Sequence, residues 1–200
     1  MKKVIIFIVV LIGIGSVLAL PSAAVNYGAG TYGGCPQYDT CSITISSSGS
    51  LQLSVIPVAS GSCTIQSDNI SVLTDNPNGY QLTLNNSSTS TALNNGSNTI
   101  ASVSASQGSP AALGADTWGY RVDGIGGFGA GPTTAQSNIS PNSVLFAQVP
   151  PSNGTADTIA NTSAIADPAI NTIVWYGVCA DTTVASGTYS TQVTYTAVAN

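Results

Sequence analysis

The C-terminal residues 187–200, GTYSTQVTYTAVAN, alternate between two kinds of side chain. Tyr189, Val193 and Tyr195 fall on one set of alternate positions, while Thr, Ser and Gln fill most of the other set. Side chains alternate between the two faces of a β-strand, so this stretch predicts a long strand with one buried face. Ser186 and Gly187 supply the turn before it.

The same period of two recurs along most of the chain, in residues 42–46, 51–55, 70–74, 80–84, 99–105, 118–122, 144–149 and 173–179. The runs on either side of residues 75–79, DNPNG, predict a β-hairpin. We expect long loops at 85–98, 124–131 and 150–167. No later window has a helical period, so the pattern predicts an all-β chain of about nine strands.

This number of short strands predicts a single, mostly antiparallel β-sandwich, Ig-like or jelly-roll-like, over residues 41–200. Its large core residues are expected to be the aromatic ones within the strands. They are Trp118, Tyr120, Phe146, Trp175, Tyr189 and Tyr195.

The N-terminus has the three parts of an export signal. Lys2 and Lys3 precede an uncharged apolar run over residues 4–20, and the small residues Ser22 and Ala24 follow. We therefore predict a signal peptide over residues 1–24 and an extracellular or cell-surface protein. An uncleaved segment that anchors the chain in the membrane is the alternative, although the run is short for a bilayer span.

Charged residues make up only 6% of the chain, and it contains no histidine. Both lysines leave with the signal, so the mature chain keeps one arginine against eight aspartates, a formal charge of 1 − 8 = −7. A chain this acidic offers no electrostatic footprint for nucleic acid or for an anionic membrane surface. Hydrophobic residues still make up 43%, which argues against a disordered polar tract.

Four cysteines in an exported chain predict two disulfides. Three pairings are possible, and we favour Cys35–Cys41, which closes a tight loop, together with Cys63–Cys179, which ties an early strand to a late one. Zinc is disfavoured because the cysteines lack close CxxC spacing.

Residues 25–40 form a Gly-rich segment with Tyr27, Tyr32 and Tyr38 spaced through it. We refer to residues 25–40 as the N-terminal arm. A flexible linker is one interpretation. The other is a segment that docks on a neighbouring subunit, because tyrosine gives contact area at low cost in entropy.

Catalytic chemistry has few candidates. Without histidine, and without lysine after cleavage, the usual bases for a nucleophile are missing, so we predict no enzyme and no cofactor. Asp116 and Asp123 flank a strand that would hold them more than ~20 Å apart, which is too far for paired carboxylates. Arg121 is expected on the surface or in an ion pair. Residues 75–79 resemble a calcium loop only superficially, because Pro77 replaces a ligand.

Three blocks, DNPNGYQLTL, TWGYRV and SGTYSTQVTYTAVAN, make the chain resemble exported β-rich proteins of candidate-phyla (reduced-genome) bacteria. A weaker similarity extends to sandwich domains of WxL-type surface proteins and pilus adhesins. The resemblance implies an extracellular or cell-surface sandwich and supplies no catalytic residues. It covers neither the cysteines nor the arm.

Two functions remain open. The first is a structural or adhesive surface protein whose partner is itself, through strand edges, or a host or cell-surface component. The second is a carbohydrate-binding module with Trp118, Tyr120 or Trp175 as a sugar platform. A monomer whose loops cover its edges is the alternative to self-association.

Overall fold

The computed structural model describes residues 4–12 and 41–200. These residues form β-strands and no helix, in one large, mostly antiparallel assembly and one small sheet, which confirms the predicted all-β sandwich class. The fourteen strands are β1 (Val4–Ile12), β2 (Ile43–Ser46), β3 (Ser50–Val55), β4 (Ser62–Thr74), β5 (Tyr80–Asn86), β6 (Leu93–Asn95), β7 (Asn98–Ser102), β8 (Ala111–Ala112), β9 (Thr117–Arg121), β10 (Gln136–Ile139), β11 (Leu145–Phe146), β12 (Asp157–Asn161), β13 (Ala166–Ala180) and β14 (Gly187–Ala199).

The first layer is built around β14. This strand pairs with β5 in antiparallel register and with β1 in parallel register; β12 then pairs with β5, and β3 with β1. Tyr189, Val193 and Tyr195 are buried, while Thr188 and Ser190 are exposed, so the predicted two-faced strand is confirmed.

The second layer is built around β4 and β13. These two long strands pair antiparallel from Ala166 opposite Thr74 to Ala180 opposite Ser62. On the far edge of β4 lie β2 and β10, and on the far side of β13 lies β9. Ile70 and Val72 of β4 and Val174 and Tyr176 of β13 are fully buried between the layers.

The two layers are joined at one end by the hairpin β6–β7. Strand β6 pairs with β14 of the first layer, and β7 pairs in parallel with β9 of the second. Strands β8 and β11 pair with each other and form the separate small sheet.

The predicted hairpin around residues 75–79 is wrong. β4 belongs to the second layer and β5 to the first, and they do not pair with each other. Asn76 explains the crossing, because its buried side-chain amide donates hydrogen bonds to the Gly79 carbonyl at 2.9 Å and to the Asn200 carbonyl at 2.8 Å. The loop is thus a bridge across the edge of the sandwich, fixed to the end of β14. The side chain of Asp75 accepts a hydrogen bond from the Ser42 amide.

Two of the expected loops contain strands. β6 lies within residues 85–98, and β12 lies within 150–167. β13 also begins seven residues earlier than the run at 173–179 predicted. β12 contains one fully buried apolar residue, Ile159, so its place in the sheet depends on pairing with β5 rather than on an alternating pattern of its own.

Candidate functional site

Strand β1 fills a space one strand wide between β14 and β3, which we call the β3–β14 slot. Its nine residues pair with Gly187 to Tyr195 on one side, and Val4 to Val9 pair with residues 50–55 on the other. Among the described residues, β3 pairs with no other strand. The first layer therefore holds β3 through β1 alone.

The two walls of the β3–β14 slot each have an apolar and a polar face. On the core side lie Leu53 and Val55 of β3 and Tyr189, Val193 and Tyr195 of β14, all at most 1% exposed. On the solvent side lie Gln52 and Ser54, and Thr188 and Ser190, all exposed. An occupant with apolar residues at one set of alternate positions and polar residues at the other would match both walls.

The predicted export signal overlaps this strand. Residues 4–12 of the predicted signal are strand β1 in the full chain, a placement that the apolar run did not reveal. The rest of the signal, the cut before Val25, and Tyr27, Tyr32 and Tyr38 of the arm lie outside the described residues. Cleavage and docking of the arm remain predictions.

The predicted Cys63–Cys179 disulfide is confirmed. The two residues face each other in the β4–β13 register, with their Cα atoms 4.0 Å apart, and both are buried. Cys41 is disulfide-bonded as well. The predicted partner Cys35 lies outside the described residues.

The three residues of the predicted sugar platform lie in the interior. Trp118 and Tyr120 are fully buried and Trp175 is 5% exposed. The indole nitrogen of Trp118 donates a hydrogen bond to the Thr91 carbonyl at 2.9 Å. A sugar platform needs an exposed ring face, and none of these rings offers one. They do confirm the prediction of an aromatic core.

Of the two positions expected for Arg121, the surface or an ion pair, the structure shows the ion pair, in a buried setting. The side chain is 1% exposed, and its Nη2 lies 2.8 Å from Oδ1 of Asp123. It also donates hydrogen bonds to the carbonyls of Leu145, Phe128 and Gly129. The guanidinium thereby pins the glycine-rich loop 124–131, whose polar backbone would otherwise be left without partners.

Residue 131, at the end of this loop, has to be a glycine. A Cβ at residue 131 would collide with the Asp123 carboxylate and the Arg121 guanidinium. The glycine-rich composition, which predicted a plain loop, thus reflects in part the close packing of the backbone against a buried cation.

Asp116 and Asp123 do not form a carboxylate pair. Asp116 accepts hydrogen bonds from the Asp181 amide at 2.9 Å and the Thr183 hydroxyl at 3.0 Å, and Asp123 pairs with Arg121. Both aspartates therefore fix loops at the two ends of β9.

Asp157 is the one titratable group in a surface cleft of about 390 Å³, whose other lining residues are Ser104, Ala105, Ser106, Gln148 and Pro150. The Tyr120 hydroxyl donates a hydrogen bond to its Oδ2 at 2.5 Å. Burial raises the pKa of Asp157, and the bond from Tyr120 opposes that rise. Burial raises the pKa of Tyr120, and the hydrogen bond to Asp157 together with the charge of Asp157 raises it further. With its carboxylate occupied by a buried phenol, this group links the layers rather than presenting a base.

A second polar group lies within the core. Asp68, Tyr176 and Tyr195 come from β4, β13 and β14, and the two tyrosine hydroxyls are 2.7 Å apart. The Asp68 carboxylate accepts hydrogen bonds from the amide and the hydroxyl of Ser48. Burial and the charge of Asp68 both raise the pKa of Tyr195. No sequence pattern indicated this group, because each residue lies in a different strand.

Within residues 4–12 and 41–200, no three His, Cys, Asp or Glu side chains come together as a metal site would require. The described part of the chain also has no helix of the length and apolarity needed to cross a membrane. No protein-family model, curated protein or solved structure matches the chain.

Proposed function

We propose that the chain is an exported structural or adhesive protein of the cell surface that assembles with copies of itself through strand edges. One observation carries this proposal. Strands β2, β3, β10 and β12 each pair with a single neighbour among the described residues, and Asp157 is the one charged residue in all four.

Uncharged edge strands favour association because their unpaired N–H and C=O groups can pair with another chain. Soluble sandwiches commonly prevent this with lysine on the edge, with bulges or with a covering loop. A mature chain without lysine lacks the first of these defences. The composition therefore fits a protein for which edge pairing is useful.

The disulfides and the fold agree with this proposal. The buried Cys63–Cys179 bond is compatible with an oxidising, extracellular environment. Asp116, Asp123 and Asp157 each engage a partner within the fold, so these three carboxylates serve to fix loops and to link the layers. Within residues 41–200 no aromatic ring is exposed, so nothing in that range favours a carbohydrate-binding function, and we treat it as an outcome of the test.

The test has two measurements. Antibody labelling of intact cells should find the protein outside the membrane, and light scattering of purified residues 25–200 should show mass that grows with concentration. Protein confined to the cytoplasm would overturn the proposal. A strictly monomeric protein at the surface that gives a glycan-array signal would replace it with carbohydrate binding.

A further inference from the structure

The β3–β14 slot depends on a segment that we predict export to remove. Removal of residues 1–24 takes away β1, and with it nine register partners of β14 and six of β3. Two strand spacings of about 4.8 Å would then separate β3 from β14. The gap has the width of one extended chain.

An empty slot would be costly. Leu53 and Val55 on one wall and Tyr189 and Val193 on the other are buried in the full chain and would become partly exposed along the gap. The facing N–H and C=O groups of both walls would also lose their partners. We therefore expect the mature protein to fill the slot with another strand.

Strand β1 matches only one face of the slot. Ile6 stands opposite Leu53 and Tyr189, as an apolar residue should. Phe7, however, stands opposite the exposed Gln52 and Ser190. Ile5 and Val9, two residues away on either side in the same alternate set, are also apolar. Each stands opposite a Ser, Thr or Gln residue on both walls. A strand with alternating character would fit better.

The new N-terminus has that alternating character. After a cut before Val25, the chain begins VNYGAGT, with Val25, Tyr27, Ala29 and Thr31 at one set of alternate positions and Asn26, Gly28 and Gly30 at the other. Ten residues, 25–34, precede Cys35, which is enough to span the nine positions of the slot.

We propose that the β3–β14 slot of one molecule binds residues 25–31 of a second copy as a donated strand. The choice of a second copy rests on the proposed function, because in a chain that assembles through strand edges this segment is a strand available to a neighbour. Such β-strand addition takes its affinity from backbone hydrogen bonds and its register from alternate side chains. Each molecule then donates at its N-terminus and accepts in its slot, a head-to-tail contact that builds filaments.

The test compares aspartates placed on the two faces of the arm in residues 25–200. Tyr27→Asp with Ala29→Asp puts two charges on the face directed at the core, and the matched control, Asn26→Asp with Gly28→Asp, puts two on the solvent face. We expect the first pair to lower the polymer fraction at least tenfold and the second to change it less than twofold, measured by light scattering and electron microscopy. Equal effects of the two pairs would overturn the proposal.

Two further measurements identify the occupant. Residues 35–200 should be unable to polymerise, and a synthetic peptide of residues 25–34 should bind them in a one-to-one complex seen by native mass spectrometry. A peptide with Tyr27→Asp and Ala29→Asp should bind at least tenfold more weakly. If residues 25–200 stay monomeric while the peptide still binds residues 35–200, the arm fills the slot of its own molecule, and donation to a second copy is wrong.

Failure of this inference is distinguishable from failure of the proposed function. Polymers of residues 35–200 that disappear with Thr44→Lys and Ser137→Lys, on the exposed faces of β2 and β10, would show assembly through other edges. The slot would then have no part in it, and the proposed function would stand. Absence of the protein from the cell surface would defeat the proposed function whatever fills the slot.

Discussion

The two layers of the sandwich differ in how they are held together. In the second layer, β4 and β13 pair along nearly their whole lengths and share the Cys63–Cys179 bond, all within residues 62–180. In the first layer, β3 is held to β14 only through β1, a strand that precedes β3 by 37 residues. One layer is therefore complete within residues 41–200, while the other depends on a strand from outside that range.

The two layers should therefore differ in how readily they open. Long antiparallel pairing and a covalent bond join β4 to β13 directly, so we expect this pair to open last. The walls of the β3–β14 slot are joined only through β1. If export removes β1, the first layer is therefore the one that needs another strand.

The largest expected effect comes from leaving the slot empty. In residues 35–200, the amides of β3 and of residues 187–195 should lose hydrogen-exchange protection, while β4 and β13 keep theirs. Exposure of four apolar side chains that the slot buries corresponds to a loss on the order of 5 kcal/mol. Hydrogen exchange with mass spectrometry measures both layers in one sample, and equal protection of β3 and β4 would abolish the distinction between them.

Removing the disulfide should lower the stability of the second layer towards that of the first. Its residues are 116 apart in sequence, and loop entropy predicts that Cys63→Val with Cys179→Val lowers the free energy of unfolding by about 4 kcal/mol. Valine keeps the apolar contact between the strands, and a Cys63→Ser with Cys179→Ser pair measures the added cost of burying hydroxyls. Guanidinium denaturation gives both values. If the valine double variant were as stable as the wild type, the disulfide would not account for the greater stability of the second layer.

A smaller effect is expected at the margin of the second layer. Arg121→Met should cost about 3 kcal/mol, because it leaves three backbone carbonyls and the Asp123 carboxylate without their donor. Asp123→Asn should cost about 1 kcal/mol, because this side chain is 42% exposed and an amide oxygen still accepts. Urea denaturation checks the order. Hydrogen exchange should change in loop 124–131 and not in β3, and a larger cost at Asp123 would contradict the account.

The smallest expected effect is a pH dependence of stability at Asp157, whose carboxylate accepts a hydrogen bond from Tyr120 of the other layer. Burial raises the pKa of Asp157 above its value of 3.8 in the unfolded chain. Its contribution to stability is therefore complete below about pH 3.8 and is lost as the pH rises through the folded-state pKa. Relative to Asp157→Asn, the wild type should lose stability over that interval. Unfolding free energies of both proteins from about pH 3 to about pH 7 measure the difference, and a wild type that gains stability there would reverse the sign.

The sequence predicted the parts of the fold that have a local signature. The alternation around Tyr189 and Tyr195 predicted β14, and the aromatic residues within strands predicted the core. The Cys63–Cys179 pair was also predicted, as a bond that ties an early strand to a late one in an exported chain. Each of these depends on residue type and spacing.

Features that depend on crossing between layers were not predictable. DNPNG has the composition of a hairpin turn, but contacts from Asn76 to Asn200, at the other end of the chain, direct it across the sandwich. Arg121 gave no sign of burial because three of its acceptors are backbone carbonyls, which any residue type supplies. The run VIIFIVVLI is uniformly apolar, so it lacks the alternation that would have indicated a strand.

The Cys63–Cys179 bond has a consequence for a protein under tension. A pulling force applied at residues 41 and 200 cannot extend the chain between the two cysteines while the bond is intact. Those 116 residues represent about 400 Å of contour length that is unavailable to stretching. Under oxidising conditions the domain can therefore lengthen only through its terminal segments, and a reductant would release the remainder. Single-molecule force spectroscopy would show this as one additional extension step that appears only after reduction.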